Sequence, residues 1–241
     1  MKILIFGGTT EGRLLAQKLT DRGHEIAVST ATPLGAEELK NINCHVTTGR
    51  LGEAEIEDLV KEYGCVIDAT HPYAREITAN LETVCGRTGT LLYRVMRESS
   101  DDLTDTCIIV GSSREAAEFL KEKPGNIMIA SGSGELDCFA DIPSERLYPR
   151  VLPTHEAITK CEKLGIPHRN ILALQGPFSV ELNEALLRQY KIRYMVTKDG
   201  GKNGGFAEKK EAALRTGTEV ILIRRPADYG MPMEKVLELF G

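Results

Sequence analysis

The chain has no tryptophan, and aromatic residues make up only 5% of its 241 positions. No apolar run approaches the roughly 20 residues needed to cross a bilayer. The first residues also lack a secretory pattern: Lys2 is followed by a short apolar run, ILIF, and then by glycines rather than a small-residue cleavage site. We expect a cytoplasmic protein with no membrane partner. The six cysteines are scattered without a C-x-x-C pair, and the five histidines show no H-E-x-x-H spacing. Neither a zinc site nor a disulfide framework is expected. The cysteines instead read as small hydrophobes flanking apolar runs. A net charge of −5 argues against a broad nucleic-acid-binding face but leaves room for a basic pocket.

What the chain does have is regular alternation. Short apolar runs such as KILIF (2–6), HEIAVST (24–30), CHVTT (44–48), CVIDAT (65–70) and LLYRVM (91–96) alternate with amphipathic stretches. Leu15 and Leu19 stack at i,i+4 in the first amphipathic stretch, and Ile56, Leu59 and Val60 form a stripe in a later one. A helix is expected from about Tyr73 to Arg87. The strands are continuously apolar rather than alternating, which suits a parallel sheet covered on both faces. Residues 98–105, ESSDDLTD, are polar and aperiodic and mark a boundary.

The alternation then restarts, with runs at 107–111, 126–132, 146–152, 170–176, 193–201 and 219–225. In the helix expected over 205–217, Phe206, Ala213 and Leu214 fall on one apolar face, with Gly217 as C-cap. A closing helix is expected over 233–240. The fold class is therefore α/β, with two Rossmann-like, doubly wound lobes of mainly parallel sheet, at 1–100 and 101–241. A cleft between the two lobes is the expected ligand site.

Polar groups cluster where the strands should end. The loop GGTTEG (7–12) follows the first strand and opens a helix, the context of a phosphate-binding turn, although Thr9 stands where a second motif glycine would be. A P-loop is excluded, because Arg13 and Leu14 occupy its lysine and hydroxyl positions. Tyr194 and Lys198 have the Tyr-x-x-x-Lys spacing of short-chain dehydrogenases and sugar-nucleotide epimerases. RYMVTK reads as a strand, however, which separates the two groups by about 13 Å. His71 precedes Pro72, which holds it near the strand end. Two glycine pairs, Gly200-Gly201 and Gly204-Gly205, bracket Lys202 in a loop able to wrap an anion, with Lys198 adding charge.

Taken together and in order, GGTTEGR (7–13), TGRLG (48–52), DATHPYA (68–74), LYRVMRE (92–98), LPTHEA (152–157), QGPFS (175–179), TKDGGKNGGFAEK (197–209) and IRRP (223–226) resemble the precorrin-6A reductase family of cobalamin biosynthesis over essentially the whole chain. The resemblance implies reduction of one double bond in the precorrin-6A macrocycle, or its cobalt form, by hydride from NADH or NADPH. It assigns the first lobe to the dinucleotide and the second to the tetrapyrrole. Gly7, Gly8, Thr9, Thr10, Glu11 and Gly12, with Thr30, Gly49, Arg50 and Thr70, would hold the dinucleotide. His71 and Tyr73 would lie near the nicotinamide. Gln175, Gly176, Gly200, Gly201 and Gly205 would approach the macrocycle. Its carboxylates need cations, for which Arg75, Arg150, Lys202 and Arg225 are candidates beside Arg50 and Lys198.

The resemblance leaves the proton donor open among His71, Tyr73 and Lys198. The cofactor is also open. Residues 29–35, STATPLG, carry neither the acid that favours NADH nor the arginine that favours NADPH, and the missing arginine leans towards NADH and the cobalt substrate. An ordinary Rossmann dehydrogenase or epimerase and a non-catalytic NAD(P)H sensor stay as rival readings, because one fold serves many functions.

Overall fold

A computed structural model of the protein describes residues 1–96, 106–199, 205–225 and 229–241. The described residues form two compact units. In the first, strands β1 (Lys2–Phe6), β2 (Glu25–Thr30), β3 (His45–Thr48), β4 (Cys65–Asp68) and β5 (Leu91–Arg94) make a parallel sheet in the order β3-β2-β1-β4-β5. The helices between them are α1 (Thr10–Asp21), α2 (Pro33–Glu37), α3 (Glu53–Val60) and α4 (Arg75–Thr88).

Alternation within β1 shows why the strands are apolar throughout. Ile3 and Ile5 join Leu15, Ala16 and Leu19 of α1 on one face, while Leu4 and Phe6 meet Ile56 and Val60 of α3 and Leu81 and Val84 of α4 on the other. Both faces are covered, as continuous apolar strands require. Strand order reverses between β1 and β4, so the turns after these two strands sit side by side at the C-terminal edge. In doubly wound sheets, that is where ligands bind.

The second unit has its own parallel sheet, β6 (Ile108–Val110), β7 (Asn126–Ile129), β8 (Leu147–Val151), β9 (Leu172–Ala173), β10 (Ile192–Lys198) and β11 (Glu219–Ile223), in the order β6-β11-β10-β7-β8-β9. Its helices are α5 (Ser113–Lys121), α6 (His155–Lys163), α7 (Val180–Gln189) and α8 (Phe206–Thr216). Leu187 of α7 and Phe206, Ala212 and Ala213 of α8 cover one face over Met128, Met195, Val220 and Leu222. Here the reversal lies between β7 and β10. The strand expected over 170–176 shrinks to the two residues of β9, at the sheet edge.

Two expectations need correction. Leu214 does not share the buried face of α8; it is 58% exposed, and at about 100° per residue it lies about 80° from Phe206, on the side away from Ala212. The chain's end also does not belong to the second lobe. The units comprise Met1–Glu98 with Pro226–Gly241, and Ser99–Arg225. The closing helix α9 (Met233–Glu238) places Val236 and Leu237, followed by Phe240, against the α1 face of the first sheet. Val95 pairs with Met231 in a parallel bridge, which anchors the returning segment beside β5.

Among the described residues, no helix is long and apolar enough to cross a membrane. The cysteines are free thiols. Burial raises those of Cys85 and Cys161 and pushes Cys65 up to about 11, keeping it a protonated, apolar group.

Candidate active site

At the edge of the first sheet, the expected dinucleotide loop is built from close contacts. Gly7 N–H donates to the Ser29 carbonyl at 2.9 Å. A β-carbon on Gly12 would stand 3.1 Å from the Gly7 α-carbon, and one on Gly7 would stand 3.1 Å from Val28. Gly8 adopts φ +88°, a left-handed conformation that suits glycine. Thr9 is the N-cap of α1: its hydroxyl accepts from Gly12 N–H at 3.1 Å and donates to the Ala69 carbonyl at 2.7 Å. A glycine there would remove this side-chain link between the turns after β1 and β4, leaving the backbone bond from Ala69 N–H to the Phe6 carbonyl.

Thr10 and Glu11 open the helix, and the N–H groups of Gly8, Thr9 and Thr10 have no acceptor among the described residues. Such orphan donors at a helix start form an anion site. Gly35, in α2, packs so close that its β-carbon would lie 3.3 Å from Gly8. Thr30 ends β2, 1% exposed, and its carbonyl accepts from Gly49 N–H at 2.9 Å. Arg50 follows, exposed. Loop, cap and strand ends thus fit a dinucleotide's pyrophosphate.

The turn after β4 stands on a buried polar cluster. Asp68 is fully buried and accepts from Thr70 N–H at 3.0 Å, Thr70 Oγ1 at 2.7 Å and Thr78 Oγ1 at 2.8 Å, and it pairs with Arg94 Nη1 at 2.7 Å. Arg94 also donates to Thr70 Oγ1 and to the Thr70 carbonyl, at 3.0 and 3.2 Å. Thr70 is thereby held from two strands. On the following turn, the His71 and Tyr73 rings lie 5.4 Å apart, tilted by 32°. Tyr73 precedes α4 rather than lying in it, since the helix starts at Arg75, which is exposed.

The second unit gathers its groups at its own C-terminal edge. Lys198 ends β10 and pairs with Glu135 at 3.1 Å, and Ser113 donates a short hydrogen bond to the same carboxylate. Burial pulls the Glu135 carboxyl upward, but the Ser113 bond and the Lys198 charge outweigh it and hold the group below its ordinary value. Glu135 closes the loop 131–135, SGSGE, directly after β7, where strand order reverses. Sequence reasoning passed over this loop, though a glycine-rich turn after an apolar run was the same signal read at residues 7–12.

Arg150, on β8, is 6% exposed, donates to Asn183 Oδ1 at 2.7 Å and stacks 4.5 Å from the Phe178 ring. The Asn183 amide donates to the carbonyls of Phe178 and Ser179 at 3.3 and 2.8 Å, which ties the loop carrying exposed Gln175 and Gly176 to α7. Phe178 and Asn183 were also missed. Gly205, at φ +63°, precedes α8, and Arg225 follows β11. Gly200, Gly201 and Lys202 lie outside the described residues. Tyr194 is 3% exposed and sits within β10 with Lys198, so the dehydrogenase-like spacing falls on a strand.

Comparison with known proteins gives the family. A family model described as precorrin-6x reductase CbiJ/CobK matches residues 2–240. The chain is 36% identical over 235 residues to a cobalt-precorrin-6A reductase of Priestia megaterium, covering 95% of this chain and 92% of that protein. It is 33% identical over 230 residues to a precorrin-6A reductase of Rhodobacter capsulatus, covering 94% and 88%. A solved CobK precorrin-6A reductase structure superposes with a TM-score of 0.78 at 27% identity, covering 99% of this chain and 96% of that one. The chain is a member of the precorrin-6x reductase family.

Proposed function

We propose that the protein reduces one double bond of the cobalt-precorrin-6A macrocycle during cobalamin biosynthesis, with NADH as donor. The observation that carries this reading is the capped glycine loop over residues 7–12, joined to the β4 turn by Thr9, in a chain that matches a reductase family end to end. Residues 7–12, Thr30, Gly49, Arg50 and Thr70 hold the dinucleotide. A reduced nicotinamide, when bound, supplies a hydride.

The chain's own part is to align, exclude water and manage charge. The helix start of α1 takes up pyrophosphate charge on its free N–H groups. Arg94 and Asp68 fix Thr70 and, through it, the turn bearing His71 and Tyr73. In the second unit, Arg75's counterparts are Arg150, Lys202 and Arg225, which meet substrate carboxylates alongside Gln175, Gly176, Gly200, Gly201 and Gly205. Hydride arrival at one atom of the conjugated system leaves an electron pair that must be protonated. His71, Tyr73 and Lys198 are the groups assigned to that proton, and the Glu135 carboxylate holds Lys198 in place.

The NADH assignment rests on residues 29–35. Ala31 and Thr32 follow β2 where an arginine would meet a 2′-phosphate, and Thr32 is occupied in capping α2 at Gly35 N–H. The cobalt assignment is supported by relatives named for that substrate, including one from Salmonella typhimurium at 34% identity. The test is anaerobic incubation of precorrin-6A and cobalt-precorrin-6A with each dinucleotide. The expected result is a loss of chromophore absorbance that is fastest with the cobalt form and NADH. An unchanged spectrum in all four mixtures would refute the reaction, and faster turnover with NADPH would refute the cofactor choice.

A further inference from the structure

The two sheets share one plan. Reading from β9, the second runs β9-β8-β7-β10-β11-β6, so β7 takes the place that β1 holds in the first, and β10 the place of β4. The sequence repeats with it. Ile3, Ile5, Gly8 and Glu11 recur at one constant spacing as Ile127, Ile129, Gly132 and Glu135, with Thr9 answered by Ser133. Gly8 and Gly132 both stand at φ +88°, and a β-carbon on either would meet open space. The match extends further along each sheet. Arg-Thr-Gly-Thr precedes both β5 and β11, and its two threonine hydroxyls lie 2.8 Å apart in each copy. Loop 131–135 is thus the counterpart of the dinucleotide loop.

The counterpart keeps the donors and loses the helix. φ is negative at Ser131 and Ser133 and positive at Gly132 between them, the alternation that turns successive N–H groups towards one side. The N–H groups of Ser131, Gly132, Ser133 and Gly134 have no acceptor among the described residues. Where α1 follows the first loop, only the 3-10 turn Leu136–Phe139 follows this one, so little helix dipole backs it. The loop is pinned at both ends. Ala130 N–H donates to the Val196 carbonyl at 2.8 Å, Leu136 and Phe139 are at most 1% exposed, and Glu135 is tied to Ser113 and Lys198. Such a fixed nest holds one compact anion on backbone donors alone. A pyrophosphate, with its greater charge, calls for the missing helix and would meet the Glu135 carboxylate; a single carboxylate asks for less.

We propose that loop 131–135 is a subsite for one carboxylate of the macrocycle, bound by backbone N–H groups, with Glu135 anchoring the loop to Lys198. The proposal rests on the reductase reading and gives the second unit a binding element made of backbone rather than side chain. The loop lies where strand order reverses, between the end of β10, which carries Lys198, and the end of β8, near which Arg150 lies. A central cradle with a cation to either side suits a ring whose acid side chains point outwards in several directions.

The test uses the full chain, with uroporphyrin as a carboxylate-ringed probe followed by fluorescence polarisation, and NADH followed by its own fluorescence. Gly134 is exposed, with open space where a β-carbon would stand and a φ outside the left-handed region, so the fold accommodates side chains there. Gly134→Asp brings a negative charge to the nest and should raise the uroporphyrin Kd about tenfold. Gly134→Asn, neutral and of equal size, should stay within about threefold of wild type, and the NADH Kd should hold in both. An Asp variant within about twofold of wild type, or Asp and Asn variants equally weakened, overturns the subsite. So does a variant that loses NADH while keeping uroporphyrin, which would make the loop a second dinucleotide site. Failure of wild type to bind uroporphyrin overturns it as well. Where the Asp–Asn difference appears in a protein that turns over neither macrocycle form with either dinucleotide, the carboxylate subsite stands and the reductase reading falls.

Discussion

Asp68 collects bonds from Thr70, Thr78 and Arg94 while fully out of contact with water. Removing the cation alone would strand a buried carboxylate. Arg94→Met should therefore cost about 3–5 kcal/mol of stability, read as a lower urea midpoint. It should also raise KM for the dinucleotide, because Thr70 loses one of its two anchors. A midpoint within error of wild type would show that the pair contributes no stability. Neither residue was legible as part of the site. The sequence put Asp68 and Arg94 within the runs 65–70 and 91–96, but only the parallel pairing of β4 with β5 puts Asp68 opposite Arg94. Arg150, by contrast, was named from the sequence as a candidate cation, while its neighbours Phe178 and Asn183 were not anticipated, because a loop and a helix start meet it from other elements.

Among the elements, α1 and its loop show how little freedom the glycines leave. Gly12→Val would force branched carbons into the Gly7 backbone, already only 3.1 Å from where a single β-carbon would stand. We expect a folded protein with at least a tenfold rise in dinucleotide KM, measured by steady-state kinetics; an unchanged KM would remove the loop from the site. Thr9→Ala deletes the N-cap and the tie to Ala69, at a cost of about 1 kcal/mol.

The strands and most of the larger helices were legible from periodicity, since each apolar run is set by its burial on two faces. Ends were less so: β7 stops at Ile129, short of the run expected to Gly132, because the glycines that follow turn away. The error at Leu214 has a clear cause. Ranking by hydrophobicity put a leucine on the core face of α8, whereas the small Ala212 and Ala213 let the helix pack closely beside Phe206.

At the scale of the whole molecule, the chain's last stretch completes the unit in which the chain begins. Phe240 stacks edge-on against Tyr93 and His24, with ring centroids 5.6 and 6.0 Å apart, and Arg22 donates to the Leu237 carbonyl. Gly230 passes so near β5 that a β-carbon would fall 2.5 Å from the Arg94 carbonyl oxygen. Gly230→Ala should thus lower thermal stability and disturb the Arg94 pairings below Thr70, visible as a fall in Tm; an unaltered Tm would mean that the returning segment yields without cost. No local pattern could have announced this return. An amphipathic helix records that it covers a sheet, not which sheet, and connectivity decides the rest.

The claim that joins these scales is hydride transfer from a dinucleotide, held by the residue 7–12 loop, to a tetrapyrrole. The most direct measurement is anaerobic turnover with NADH carrying deuterium at nicotinamide C4, followed by mass spectrometry of the macrocycle. The account predicts one deuterium in the reduced product from one of the two C4-labelled forms and none from the other. A reduced product free of deuterium with both forms would contradict it.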